Sequence, residues 1–293
     1  MPSYNISAYN VLFHVQFAGF PVMATTFADQ QNTESKGLSK SSAMPVSPWM
    51  RALNYYKRNS ARQLFKRLVN VRPPRPLISF TFDDFPRTAL WEGGRILGKY
   101  GLTGTYYVSL GLLGLDSPSG PICVPEDLAE LLDQKHELAC HTFAHCHSWN
   151  TKTADFEDSI VKNKAALQQL FPDAAFASFS YPISEPRPLT KRATGQHFLC
   201  CRAGGQTFNT GNTDLNQLSA FFLEKAQGQL AAVTDLIDRN RKACGWLILA
   251  THDIHPAPSP YGCTPKFFEQ VVQYAVNSGA QILPVVEALQ KIQ

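Results

Sequence analysis

Two adjacent carboxylates, Asp83 and Asp84, directly follow a short apolar segment, residues 77–82 (LISFTF). That segment has the length and composition of a buried strand. In α/β and barrel folds, catalytic residues lie where parallel strands end. Side chains alternate along an extended chain, so the two carboxylates need a turn between them to share one site. One could then bind a metal while the other moves protons; a solvated Asp-Asp turn is the alternative.

Two histidines spaced four residues apart, His141 and His145, follow a second strand-like segment at residues 136–140. A helical turn would place both imidazoles on one face. With one carboxylate they supply three protein ligands and leave a metal position open for water, as in catalytic zinc sites. A closed structural zinc site is a weaker alternative, with ligands drawn from Cys140, His145, Cys146 and His147. Its spacings are tighter than those of paired zinc knuckles.

A third histidine, His252, follows the strongly apolar segment 246–251 (WLILAT) and precedes Asp253. A single histidine at a strand end is more often a structural hydrogen-bonding group. Here three strand ends carry Asp-Asp, His-x-x-x-His and His-Asp. Their combination favours one common site over three unrelated turns.

Strand-like and helix-like segments alternate from residue 77 onward, which predicts an α/β fold with a largely parallel sheet or barrel. The predicted strands are 77–82, 104–110, 136–140, 175–181, 198–202, 245–251 and 281–285. The predicted helices are 88–100, 125–134, 156–170, 220–241 and 264–278. With 44% hydrophobic residues among 293, the chain has enough apolar side chains for a large core.

The N-terminal 75 residues differ from the rest. Residues 9–24 are apolar but short for a membrane span and lack a basic segment before them, so no signal peptide is expected. Residues 25–48 have the composition of a flexible linker. Residues 49–71 predict a basic helix, which we expect to pack on the main domain. Contact with an anionic membrane surface is the less favoured alternative.

The charge is concentrated in that same segment. Eight basic residues and no acidic one lie between residues 51 and 75, while the whole chain carries a net charge of only +4. The remainder is therefore mildly acidic, and nucleic-acid binding is not indicated. The seven cysteines show no regular spacing, which favours reduced thiols and a cytoplasmic location.

Three motifs, TFDD at 81–84, HTFAH at 141–145 and LATHD at 249–253, together resemble the NodB-homology polysaccharide deacetylases, carbohydrate esterase family 4. The resemblance extends from Leu77 to Leu289. It implies a distorted (β/α) barrel over residues 76–293, preceded by an N-terminal extension at 1–75. It also implies removal of N- or O-acetyl groups from sugars with a divalent metal, usually Zn²⁺.

The resemblance also implies roles for individual residues. Asp83 corresponds to the general base and His252 to the general acid. The metal ligands correspond to Asp84, His141 and His145. A backbone N–H near Tyr181, Pro182 or Ile183 would hold the oxyanion.

Two family motifs are altered. The family's third motif often supplies an arginine beside the catalytic aspartate, but Ser180 stands in its place, and the possible substitutes are Arg187, Arg192 and Arg202. The fourth motif, an Asp-Trp pair, is not recognisable; Asp214 is the nearest candidate, and an ordinary turn aspartate is the favoured interpretation. Trp91 and Trp149 are candidates for stacking on sugar rings, with core packing as the alternative.

The expected function is metal-dependent deacetylation of an N-acetylated sugar within a glycan or glycan precursor. A metal-free hydrolase of a small cyclic amide or ureide is one alternative, against which Asp84, His141 and His145 argue. A catalytically inactive sugar-binding module is the other. Asp83 and His252 argue against it, because binding alone needs neither a base nor an acid.

Overall fold

The computed structural model describes residues 48–183 and 185–292. The apolar segment 9–24 and all but the last residue of the expected linker 25–48 lie outside the described residues. No helix within the described residues has both the length and the apolar character that crossing a membrane requires.

The helices are α1 (Pro48–Gln63), α2 (Arg95–Lys99), α3 (Pro125–Asp133), α4 (Thr153–Leu170), α5 (Pro188–His197), α6 (Leu230–Ala243), α7 (Pro265–Asn277) and α8 (Val285–Gln290). The strands are β1 (Leu68–Val71), β2 (Leu77–Phe82), β3 (Thr105–Val108), β4 (Asp116–Ser117), β5 (Gly120–Pro121), β6 (Glu137–Cys140), β7 (Ser178–Ser180), β8 (Cys200–Arg202), β9 (Gly211–Asp214), β10 (Phe221–Phe222), β11 (Trp246–Thr251) and β12 (Gln281–Ile282). A π-helical turn covers Ala89–Gly94, and 3₁₀ turns cover Leu110–Leu112 and Leu223–Ala226.

The main sheet is parallel throughout and has the order β10-β11-β2-β3-β6-β7-β8, with β12 also paired to β2. Every residue of β2 and of β11 is buried. Such burial on both faces is why these strands are continuous apolar runs instead of alternating ones. The sheet curls into a partial barrel, which confirms the predicted α/β, distorted (β/α)-barrel class.

Aromatic side chains from the middle of the sheet form much of the core beneath α7. The rings of Phe82 and Tyr106 stack with centroids 4.5 Å apart. Phe80 meets Phe268 of α7 edge-on at 5.6 Å. Thr264 caps α7 by accepting a hydrogen bond from the Phe267 N–H. The ends of these strands are therefore held in place by a densely packed hydrophobic core.

The segment 220–229 is not helical, so the predicted helix 220–241 was wrong over its first part. Strand β10 and a 3₁₀ turn precede α6 there. Gln227 and Gly228 have φ values of +48° and +74°, which a continuous helix does not allow. Sequence analysis also missed α5, although Pro188 stands at its first position.

The basic N-terminal segment forms α1 and then β1, so the helix predicted for residues 49–71 ends earlier than expected. Phe65 has a φ of +50° and ends the helical path, after which β1 pairs antiparallel with β9. The Lys191 Nζ of α5 donates to the carbonyls of Ala61 and Leu64 at 2.6 and 3.0 Å. This segment thus packs on the main body. The predicted boundary between 1–75 and 76–293 stays a prediction.

Candidate active site

The turn after β2 buries both of its carboxylates. Asp84 and Phe85 have φ values of +60° and +49°, so the chain leaves the extended path at once. The side chains of Asp83 and Asp84 are both buried. The Asp83 N–H donates to the Thr251 carbonyl at 2.9 Å, which ties the end of β2 to the end of β11. Asp83, Asp84 and His252 are thereby brought to the same end of the sheet.

Asp84, His141 and His145 form a buried cluster of three potential metal ligands, whose ligand atoms all lie within 4.8 Å of one another. Asp84 Oδ1 is 3.1 Å from His145 Nε2 and 3.5 Å from His141 Nε2. The helical turn predicted for the two histidines was wrong. Thr142 and His145 have φ values of +62° and +51°, and an irregular loop brings the imidazoles together.

The donor set fits a divalent cation. His141 Nδ1 is 2.8 Å from the Ser180 carbonyl, which can only accept, so Nδ1 carries the proton and the Nε2 lone pair faces Asp84. Asp84 Oδ1 is itself an acceptor and has no hydrogen-bond partner among the described residues. A tetrahedral ion with ligand distances of about 2.0–2.2 Å would hold its ligand atoms roughly 3.3 Å apart. The two distances from Asp84 Oδ1 to the histidine nitrogens, 3.1 and 3.5 Å, are close to that value.

A buried arginine of the next strand, Arg202, takes the place of the arginine side chain that is missing at Ser180. Arg202 lies opposite Ser180 in the register of β7 and β8. Its Nη2 forms an ion pair with Asp83 Oδ1 and a hydrogen bond of 2.6 Å with Ser180 Oγ. The small serine leaves room for the guanidinium of the next strand. The charge beside Asp83 is therefore supplied from β8.

The ion pair sets the charge of Asp83. Burial alone would raise the pKa of this carboxyl, but the adjacent Arg202 outweighs it and lowers the pKa below the ordinary value. Burial would lower the pKa of Arg202, and Asp83 in turn raises it. Both groups are therefore ionised at neutral pH, and Asp83 can accept a proton.

The other two arginine candidates do not reach Asp83. The Arg187 guanidinium donates to the Thr151 carbonyl, and the Arg192 guanidinium lies 5.5 Å from the Phe65 ring centroid. Asp214 also lies elsewhere, paired with Lys191 at 2.5 Å. That pairing fits a structural aspartate, the interpretation favoured from the sequence.

His252 lies at the open side of the cluster, with 15% of its side chain exposed. Its Nδ1 is 3.2 Å from the Tyr261 carbonyl and so carries the proton of that contact. Its Nε2 lies 3.9 Å from Asp84 Oδ2 and faces the site. Phe222 lies nearly parallel to the imidazole at 6.4 Å. The ring is thus oriented from two sides, with one nitrogen left to face a substrate.

The three residues proposed for the oxyanion differ in what they can donate. The Tyr181 N–H already donates to the Arg202 carbonyl at 2.9 Å, and Pro182 has no N–H. Ile183 is the remaining candidate. It has a φ of +68°, an outlier for a β-branched residue. Strained residues of this kind occur preferentially at functional sites.

Glu224 is a residue of this region that the sequence analysis missed. Burial raises the pKa of its carboxyl to about 7, although His252 acts in the opposite direction. Its Oε2 is buried without a hydrogen-bond partner among the described residues. No local signal marks it, because it lies in the turn predicted to be helix.

The alternative zinc site does not form within the described residues. The Cys140 sulfur accepts a hydrogen bond from Asn163, and the Cys146 thiol donates to the Ser159 hydroxyl. All seven cysteines are free thiols. Of the two candidate tryptophans, Trp91 is 46% exposed and stacks with Arg87, while the Trp149 indole donates to the Glu185 carbonyl.

Solved structures show the same architecture. A chitin deacetylase from the fungal pathogen Colletotrichum lindemuthianum superposes with a TM-score of 0.54 at 15% identity, covering 74% of this chain and 89% of that one. A family 4 acetyl xylan esterase from Clostridium thermocellum, in complex with cobalt, gives 0.52 at 22%, covering 73% and 90%. A family 4 pseudoenzyme from Bacillus anthracis gives 0.51 at 13%, covering 75% and 67%. A search of curated protein sequences finds no match.

The partial family match and the solved structures support a hydrolase that acts on amide or ester bonds. The model of the polysaccharide deacetylase family matches residues 70–197. This matched part of the chain is similar to the polysaccharide deacetylases, in agreement with the resemblance to the NodB-homology deacetylases of carbohydrate esterase family 4. The match ends before Arg202 and His252; the tertiary structure brings both of these residues beside the matched motif residues.

Proposed function

We propose that this protein is a metal-dependent deacetylase that removes the acetyl group from an N-acetylated sugar of a glycan or glycan precursor. One observation carries the proposal: the Asp84–His141–His145 cluster lies between an ionised Asp83 and a partly exposed His252. A base, a metal site and an acid at one end of a sheet are the parts that amide hydrolysis needs.

Zn²⁺ is the proposed ion, since two imidazoles and one carboxylate are typical ligands of catalytic zinc. When bound, such an ion lowers the pKa of its water from about 15.7 towards ~7 and polarises the acetyl oxygen. Asp84 supplies the negative charge of the ligand set. His141 is held in the required tautomer by its hydrogen bond to the Ser180 carbonyl.

Asp83 acts as the proposed general base. Arg202 keeps it ionised and fixes its orientation, so that a carboxylate oxygen can take the proton of the attacking water. The Ile183 N–H is the proposed donor to the oxyanion of the tetrahedral intermediate.

His252 acts as the proposed general acid. Its Nδ1–H is engaged by the Tyr261 carbonyl, so Nε2 is the nitrogen that delivers a proton to the departing amine. Without that proton the amine is a poor leaving group and the C–N bond reforms.

The test combines metal content with acetate release. The purified protein should hold one divalent ion per chain and release acetate from N-acetylated oligosaccharides, with both lost on chelation and restored by Zn²⁺. Absence of a metal under retaining conditions would refute the ligand assignment and favour the metal-free hydrolase. A stoichiometric metal without acetate release across a broad glycan panel would favour the inactive sugar-binding module.

The cytoplasmic location stays a proposal, supported by the free thiols. Fractionation of cells that express the tagged protein would test it.

A further inference from the structure

A polar pocket lies between the basic N-terminal segment and the end of β8, with a volume of about 200 Å³. Its polar lining residues are Arg62, Lys66, Asn212, Asp214, Gln217 and Ser219. Gly204 also lines it and follows Arg202 by two residues, so their Cα atoms lie within about 7 Å of each other. The backbone that lines the pocket at Gly204 is therefore close to the backbone that carries Arg202 of the candidate active site.

Two cationic side chains, the buried Lys191 and the partly buried Arg67, hold the wall of this pocket in place. Lys191 binds the carbonyls of Ala61 and Leu64 and the carboxylate of Asp214. Arg67 donates to the carbonyls of Gly195, Phe198 and Leu199 at 3.2, 3.0 and 2.6 Å. The segment that carries Arg62 and Lys66 is thus fixed on both sides of those residues. A wall held in this way is preorganised for binding.

The charge of the pocket is positive. Two charged side chains of the lining have a partner of opposite charge, since Arg62 pairs with Glu185 and Asp214 pairs with Lys191. Lys66 instead donates to the neutral oxygen of Gln63 at 3.2 Å, and the Arg67 guanidinium bonds only to neutral carbonyls in the contacts above. In these contacts no carboxylate cancels either charge, and the one that lines the pocket, Lys66, favours an anionic occupant.

One side chain of the lining also needs a donor. The Gln217 Oε1 is buried and has no hydrogen-bond partner within the described part of the chain. A buried acceptor without a donor costs roughly 1–3 kcal/mol, so a bound hydroxyl would be favourable there. Asn212 and Ser219 supply further polar groups on the same lining. The pocket thus matches an occupant that combines one anion with several hydroxyls.

We propose that this pocket is a subsite for an acidic sugar, whose carboxylate binds near Lys66 while its hydroxyls meet Gln217. This rests on the proposed function, because it places the acidic sugar next to the acetylated one in the same glycan. A volume below the roughly 300–1,000 Å³ of typical ligand pockets suits a single sugar ring and not a longer piece of chain. The basic N-terminal segment is then part of the substrate site.

The first test measures binding by NMR titration or calorimetry without any acetyl group present. The probes are cellobiouronic acid and cellobiose, which differ by one carboxylate. Wild-type protein should bind the acid about tenfold more tightly than the neutral disaccharide. Lys66→Gln should abolish most of that difference, whereas Arg72→Gln, which removes an exposed charge of the same segment outside the pocket, should not. Equal binding of both probes, or equal effects of both variants, would overturn the proposal.

The second test separates this proposal from the proposed function. Acetate release is compared on tetra-N-acetylchitotetraose and on a tetrasaccharide of alternating N-acetylglucosamine and glucuronic acid. A preference for the acidic tetrasaccharide that Lys66→Gln removes would support the subsite. Activity on both without a preference would overturn the subsite and leave the deacetylase proposal intact. Lys66-dependent binding of cellobiouronic acid without any acetate release would support the subsite and refute the deacetylase.

Discussion

Strand β6 lies between two buried histidines, and the pKa of each is lowered to about 4, mainly by burial. At the start of the strand, His136 Nδ1 accepts a hydrogen bond from the Gly104 N–H at 2.9 Å. At the end of the strand, the His141 Nε2 faces Asp84. The two imidazoles have the same shifted pKa but different surroundings.

Two carboxylates, the partly buried Glu137 and the buried Asp84, show the same contrast at the two ends. Glu137, at the start of β6, accepts hydrogen bonds from Ser178, Thr105 and the Val286 N–H at 2.5, 2.9 and 3.0 Å. Asp84 Oδ1, at the other end of the sheet, has no hydrogen-bond partner among the described residues and faces two imidazole nitrogens. A perturbed pKa thus occurs at both ends, whereas unsatisfied ligand atoms distinguish the candidate site.

The largest expected effect comes from exchanging one carboxylate at each end. Asp84→Asn should lose the bound metal and lower acetate release at least about a thousandfold, because a ligand charge is removed. Glu137→Gln should keep metal and activity but lose about 1–3 kcal/mol of unfolding free energy, because an amide cannot accept all three donors. Metal analysis, acetate assays and denaturant unfolding measure these outcomes. Loss of metal in Glu137→Gln but not in Asp84→Asn would contradict the comparison.

A smaller effect should follow from moving the arginine between strands. Arg202→Ser leaves Asp83 buried without its counterion, so stability should fall by about 3–5 kcal/mol and acetate release by about a hundredfold. Adding Ser180→Arg to this variant places a guanidinium on residue 180, which lies opposite residue 202 in the register of β7 and β8.

The double variant should therefore recover at least half of the lost stability and part of the activity. Ser180→Ala serves as a control, because it removes the serine hydroxyl and leaves Arg202 in place. If the double variant were no better than Arg202→Ser, the positional exchange of the arginine would be refuted.

The smallest effect concerns His136 and pH. Its folded-state pKa of about 4 lies below the ordinary value of 6.5, so the unfolded chain takes up the proton first as the pH falls. The stabilisation is complete above pH 6.5 and decreases down to about pH 4, by at most about 3 kcal/mol. His136→Gln should therefore flatten the pH dependence of the unfolding free energy between pH 6.5 and 4. An unchanged slope would show that His136 is not the responsible group.

Much of the central sheet could be predicted from local sequence, and β2 was predicted with its observed ends. The α6 region was predicted less well, because Gln227 adopts a left-handed conformation that its residue type does not indicate. The loop that joins His141 and His145 was missed for the same reason. Backbone turns made by ordinary residues depend on what packs around them.

Most strands of the main sheet could be recognised from the sequence, together with the residues that follow them, Asp83, Asp84, His141 and His252. Apolar runs and the polar residues that stop them are local patterns, readable along one strand at a time. The choice of Arg202 over Arg187 and Arg192 as the replacement for the arginine missing at position 180 required the pairing of β7 with β8. The fold also places the basic N-terminal segment against α5 and β9. Both depend on pairing between distant parts of the chain, whose register is set by packing and side-chain contacts that no single segment contains.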